Sequence, residues 1–398
     1  MAAKNEQSAW KKTRKLFNDF HLWMGIGAGL ILFVVCLTGT VYTFSSEIQE
    51  MLEPEKYEVV LQPEMEHLAA EEIIQRIEQA LPEGNVSSLR IPADETRSYE
   101  ASVRKEGERR GTTYLIDPYT AEIKGTTQGA GSEFFMVVFR LHRWLLLDTE
   151  VGRPIVGVAT LIFVFIILTG MVIWFPQRIK SWKQGLRIKF SGGWKRMNHD
   201  LHNALGFYSS FLLLIMALTG LQWSFEWYRT GLQTVLGAER NGGHGPGPGT
   251  DETAPAVAET KASTLSAADF LKIADEVLPY EGDYRISLPQ NTQDPVAITK
   301  YKTGFFAPSA GDQLELNAYS GETLKMDIFS EKPWNAQVAR SIKALHVGDF
   351  YGTFSKTLYF ISCLIATSLP VTGTIIWINK LRKKSKRKAS RTKKKELV

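Results

Sequence analysis

Four stretches of the chain run without a charged side chain: Leu22–Phe44, Ile155–Phe175, Ala204–Phe225 and Leu358–Ile378. Each has the roughly 20 apolar residues that a helix needs to cross a bilayer. A buried helix of a soluble protein rarely repeats that pattern four times. The first stretch is too long for a signal-peptide core and lacks a small-residue cleavage site, so it reads as a retained anchor. Between the spans the pattern changes. After the first and third spans comes an amphipathic helix ending in Leu-Pro (Leu81-Pro82, Leu278-Pro279), then short alternating segments such as Arg97–Arg104 and Thr112–Ile116. A 3.6-residue period followed by a two-residue period predicts a small α+β module, twice. Asn241–Ser263, rich in Gly, Pro, Ala and Thr, reads as a flexible linker.

The chain repeats itself. Asn18-Asp19-Phe20-His21 opens the first span and His199-Asp200-Leu201-His202 the third. Thr38-Gly39 follows His21 by 17 residues, and Thr219-Gly220 follows His202 by 17. Tyr119-Thr120-Ala121-Glu122 is answered by Tyr319-Ser320-Gly321-Glu322, and Leu141-His142 by Leu345-His346. A span with Thr-Gly and Ile-Trp then closes each half: Thr169-Gly170 with Ile173-Trp174, and Thr372-Gly373 with Ile376-Trp377. The expected fold is a mainly α membrane protein, a four-helix transmembrane bundle from an internal duplication, carrying two small α+β extracytoplasmic modules.

Charge orients the spans. Of 47 Lys and Arg residues, 23 lie in three segments: the first 21 residues, the loop between spans two and three, and the tail from Lys380. Only Glu6, Asp19, Asp200 and Glu396 oppose them there. The positive-inside rule puts these segments, and both termini, in the cytoplasm. The tail beside a span is a topology and lipid-surface signal, not a nucleic-acid-binding arm. The 398-residue average, 44% hydrophobic and 22% charged with net charge +5, conceals a basic inner face and an acidic outer one. An acidic exterior disfavours strongly anionic ligands. The apolar and aromatic content excludes disorder. Two cysteines, Cys36 and Cys363, exclude a disulfide scaffold, and no CxxC or CxxCH offers a thiolate zinc site or covalent haem attachment. Gly25-Ile26-Gly27-Ala28-Gly29 lies inside a span and follows no strand, so it is no dinucleotide fingerprint.

Five of the seven histidines lie at span ends: His21, His199 and His202 inside, His142 and His346 outside. A lone histidine there is most simply an interface anchor. Four at repeated positions, two near each face, match what two bis-histidine haems b require, each iron taking a nitrogen from two helices. The repeat proposes His21 with His202 and His142 with His346. His199 aligns with Asn18, which leaves it as an alternative ligand or a supporting residue. A histidine-bound copper or zinc would lack carboxylate or thiolate company within the spans. Arg140, Arg143 and Arg153 offer contacts to propionates, or are ordinary interfacial basic residues. The four Thr-Gly pairs are assigned to close helix packing, and Pro370 to a kink in the last span. His67 and His244 receive no role.

His21-Leu-Trp-Met-Gly with Leu37-Thr-Gly, Leu141-His-Arg-Trp-Leu with Leu168-Thr-Gly-Met-Val-Ile-Trp-Phe-Pro, and Leu201-His-Asn-Ala-Leu-Gly with Leu218-Thr-Gly together resemble the PepSY-associated transmembrane family. The resemblance covers nearly the whole chain. It implies PepSY-like modules in the outer loops, a bacterial inner-membrane location, two haems b and a ferric-siderophore reductase fed by a cytoplasmic or membrane electron donor. Trp144, Trp334, Phe350 and Tyr351 are placed by position as the docking surface for the chelate. Two other readings stay open: a non-catalytic membrane protein whose modules bind or regulate a partner, and a metal or haem transport component. The expected segments are the basic N-terminus 1–21, first span 22–45, first module 46–131 and outer histidine helix 132–153. Then come the second span 154–176, basic loop 177–198, third span 199–226 and linker 227–265. The second module 266–330, outer histidine helix 331–357, fourth span 358–379 and tail 380–398 complete the chain.

Overall fold

The computed structural model describes residues 2–108, 111–175, 182–237, 265–289, 294–304 and 307–395. His244 and the linker Asn241–Ser263 lie outside the described residues. Four helices are long and apolar enough to cross a membrane: α1 (Ala2–Tyr42), α6 (Thr149–Trp174), α8 (Trp194–Ser224) and α12 (Gly352–Lys395). The chain is a multi-pass membrane protein. α1 packs on α6 and α12, and α8 on the same two, which closes a ring of four. Leu30, Phe165, Phe211 and Leu364 point outward, as lipid-facing residues do. Pro370 sits inside α12 without ending it.

Small helices carry the chain away from the bundle. α2 (Ser45–Leu52) and α3 (Pro54–Tyr57) leave α1; α4 (Ala70–Ala80) precedes β1 (Gly84–Ile91), β2 (Tyr99–Lys105), β3 (Thr112–Ile116) and β4 (Ile123–Thr126). α5 (Ser132–Trp144) returns to α6. α7 (Trp182–Gly185) precedes α8 and α9 (Glu226–Val235) follows it. The order then recurs: α10 (Ala267–Val277), β5 (Gly282–Ser287), β6 (Val296–Lys302), β7 (Asp312–Leu316), β8 (Thr323–Asp327) and α11 (Trp334–Val347), which leads into α12.

Two separate modules were expected. Instead the strands form one antiparallel sheet of eight, ordered β4-β3-β2-β1-β5-β6-β7-β8. The join is β1 against β5, with Leu89 opposite Ile286 and Ser88 opposite Ser287. Alternation buries one face, where Leu89, Ala101, Ile286, Ile298 and Leu314 meet Ile73 and Ile77 of α4 and Phe270 and Ala274 of α10 in a single core. Two half-modules each too small to fill a core therefore share one. Arg90 and Arg285 stand opposite each other at the join, a destabilising pair offset by Glu100 and Asp283, which bind Arg90 at 2.7 and 2.9 Å.

Candidate functional site

The four expected histidines occupy four helices and meet in two pairs. His21 (α1) and His202 (α8) lie near the end of the bundle away from the sheet, with ring centroids 6.4 Å apart and planes at 88°. His142 (α5) and His346 (α11) lie at the sheet end, again 6.4 Å apart, at 58°. Among the described residues no third His, Cys, Asp or Glu joins either pair to form a metal-binding cluster.

Three of the four imidazoles are seated in the same way. Nδ1 of His142 donates to the Val35 carbonyl at 2.9 Å, that of His21 to Ile166 at 3.0 Å, and that of His346 to Met216 at 2.9 Å. Each accepting carbonyl lies three residues before a Thr-Gly pair. The threonine hydroxyl flanks the same Nδ1, at 3.3 Å for Thr38, 3.1 Å for Thr169 and 3.2 Å for Thr219. At His202 the hydroxyl of Thr372 is the close partner, at 2.9 Å. The glycine that follows lets the ring approach the helix backbone. A Cβ built on Gly39, Gly170, Gly220 or Gly373 would lie 3.0–3.2 Å from the Cε1 of the seated histidine. The Thr-Gly pairs, expected to serve helix packing, are therefore histidine seats. With Nδ1 donating to a carbonyl, the neutral ring carries its proton there and leaves the Nε2 lone pair free, as metal ligation requires. Desolvation by burial holds His142 below the ordinary histidine range and His346 at about 4, so both are neutral.

The seats are internal to each half of the chain, while the pairs cross between halves. α6 seats His21 and α1 seats His142; α12 seats His202 and α8 seats His346. His21–His202 and His142–His346 then join the first half to the second. A cavity opens at the far pair, lined by both histidines and by Gly25, Gly29 and Gly206, and reaching Leu32 and Cys36 near mid-helix. Asn18, His199 and Lys380 also line it.

Residues 19–380 match the sequence model of the PepSY-associated TM region. The chain belongs to the PepSY-associated transmembrane family. A search of curated proteins finds no match. Within this PepSY-associated protein the remaining expected residues are placed as follows. His199 is 60% exposed with Nδ1 3.6 Å from Asp200, and it lines the same cavity as His202. Arg143 lies over the rings of Phe139 and Trp144 at 5.5 and 5.4 Å, close enough to Arg153 to feel its charge. Arg140 and Arg153 are exposed.

Of the four aromatics expected at a docking surface, Phe350 and Tyr351 touch each other, while Trp334 lies at the other end of α11. Trp334 opens α11, and Phe350 and Tyr351 follow its far end, about 20 Å away at 1.5 Å per residue. Phe350 also packs on Tyr359. His67 bonds the Tyr99 hydroxyl at 3.1 Å and packs on Tyr119, a local structural contact. Trp223, 5.0 Å from His346, was not flagged by the sequence. Its position three residues after Gly220 is the signal that was there to read.

Proposed function

We propose that this membrane protein holds two b-type haems in series and passes electrons from the cytoplasmic side to a ferric siderophore in the periplasm, releasing Fe²⁺. The observation that carries the proposal is the equal 6.4 Å separation of two seated imidazole pairs. With a metal–imidazole bond of about 2 Å, rings at this separation could share one iron, His21 with His202 and His142 with His346. Two imidazoles alone are a poor zinc or copper site, whereas a haem would supply the remaining ligands of its own iron.

The surroundings suit a flat macrocycle. At Gly25, which lines the far cavity, an added Cβ would meet nothing within 4 Å. At the sheet end two buried polar atoms, Gln222 Nε2 and the Tyr359 hydroxyl, have no hydrogen-bond partner among the described residues. Gln222 follows Gly220 by two residues, and Tyr359 packs on Gly348, two residues after His346. Such groups, with Arg143, fit propionates.

In this reading His21 and His202 hold the cytoplasmic-side group, and His142 and His346 the periplasmic-side one, the orientation following the basic segments. When bound, each haem supplies a one-electron carrier whose potential follows ligation and burial. The protein's own residues would orient the imidazoles through their helix-backbone and threonine contacts. A siderophore holds Fe³⁺ through hard oxygen donors and Fe²⁺ much less well. One electron therefore releases the metal and leaves the chelator intact. The test mixes dithionite-reduced protein, freed of excess reductant under anaerobic conditions, with a ferric siderophore. Reoxidation with one Fe²⁺ captured per electron is expected. Failure with every ferric chelate tried would remove iron as the acceptor.

A further inference from the structure

We infer that the threonines of the four Thr-Gly pairs are positioning residues that set the orientation and donor strength of the iron-binding imidazoles, and that Thr372 carries the largest share. This inference rests on the haem reading above. Three of the threonine hydroxyls, on Thr38, Thr169 and Thr219, give their own proton to the carbonyl four residues back, each at 2.7 Å, on Val34, Phe165 and Ile215. That leaves an oxygen lone pair facing Nδ1–H, beside the carbonyl three residues back. The imidazole proton is thus shared between a carbonyl at 2.9–3.0 Å and a hydroxyl at 3.1–3.3 Å. The carbonyl is the primary acceptor at these three seats.

His202 reverses that order. Its Nδ1 is 2.9 Å from the Thr372 hydroxyl, the shortest of the four histidine–threonine contacts. Thr372 holds its own helix carbonyls more loosely, at 3.1 Å to both Ser368 and Leu369. The buried Asn198 side chain donates to the Thr372 carbonyl at 3.0 Å and fixes this turn of α12 against α8. A hydrogen bond from Nδ1–H makes the ring a more basic ligand and favours the ferric state. Removing the acceptor therefore raises the midpoint potential and loosens the ligand.

The experiment compares purified full-length Thr372→Val and Thr372→Ser with Thr38→Val, Thr169→Val and Thr219→Val. The readouts are haem content, reduced-band position and redox titration of each haem. Thr372→Val is expected to raise the midpoint of the cytoplasmic-side haem and to weaken its retention about 10-fold or more. The periplasmic-side haem should stay unchanged, which shows that the fold is intact. Thr372→Ser should restore the wild-type values, since it keeps the hydroxyl. The Leu369 carbonyl also faces His202, so the contrast is one of degree: the other three valine variants should shift their own haem less, because there the carbonyl is the nearer acceptor and the hydroxyl lies at 3.1–3.3 Å against 2.9 Å for Thr372. Wild-type midpoints and retention in Thr372→Val would overturn the inference, as would a serine variant as damaged as the valine one. An equal shift in all four valine variants would overturn the rank given to Thr372. A colourless wild type would remove the haem reading itself, a different result from a coloured wild type with indifferent threonine variants.

Discussion

At the scale of single residues, the functional geometry depends on glycine at four places where a ring edge meets a helix. Gly220 is the tightest, since a Cβ at that position would lie 3.0 Å from His346 Cε1. Gly220→Val should therefore displace His346, and on the di-haem proposal should abolish only the sheet-end haem and leave the far one in the spectrum. Gly27→Ala is the matching control: a Cβ there would meet nothing within 4 Å, and alanine in a helix is favoured over glycine by about 1 kcal/mol. It should leave both haems and raise thermal stability slightly. The histidine pairs were legible in the sequence because the repeat aligned them. Their seats were not. Thr38 serves a histidine 104 residues away and Thr372 one 170 residues away, and no local spacing reports such contacts. The choice between His199 and His202 was also closed to sequence, since three residues along a helix turn the side chain only about 60°.

Among the elements, the shared sheet is the main departure from expectation. Period-two alternation located β2 and β3 to within two residues, yet it says nothing about which edges pair. Joining β1 to β5 was decided by tertiary burial. The core beneath it should respond accordingly: Ile77→Ala, at a fully buried position of α4, should cost about 2–5 kcal/mol in denaturant unfolding. A second test concerns Lys300, buried on β6, whose ammonium lies 2.7 Å from Asp275 and over the rings of Tyr280 and Tyr284. Burial opposes the charge on Asp275, but hydrogen bonds from Lys300 and Tyr284 outweigh it and lower its pKa below the usual carboxylate value. A lowered folded pKa contributes stability that is present above the unfolded carboxylate range and lost as pH falls through the folded value. Thermal stability should decline over that acidic window, and Asp275→Asn should flatten the decline while lowering stability at neutral pH, because it removes the carboxylate that pairs with the buried Lys300.

For the whole molecule, each half builds its own seats, and each histidine pair faces across from one half to the other. The halves meet in the transmembrane ring, which includes the His21–His202 pair, at the sheet join, and at His142 and His346. Membership of the PepSY-associated transmembrane family and the four spans were readable in advance, because a bilayer imposes about 20 apolar residues whatever the tertiary context. The central claim is that each pair ligates one haem, and counting haems tests it most directly. Pyridine haemochrome analysis of purified protein from haem-replete cells should give two haems b per chain in the wild type. His142→Ala and His202→Ala should give one each, of different midpoint potential. A wild type with no haem, or His142→Ala and His202→Ala variants that each retain two, would contradict the account.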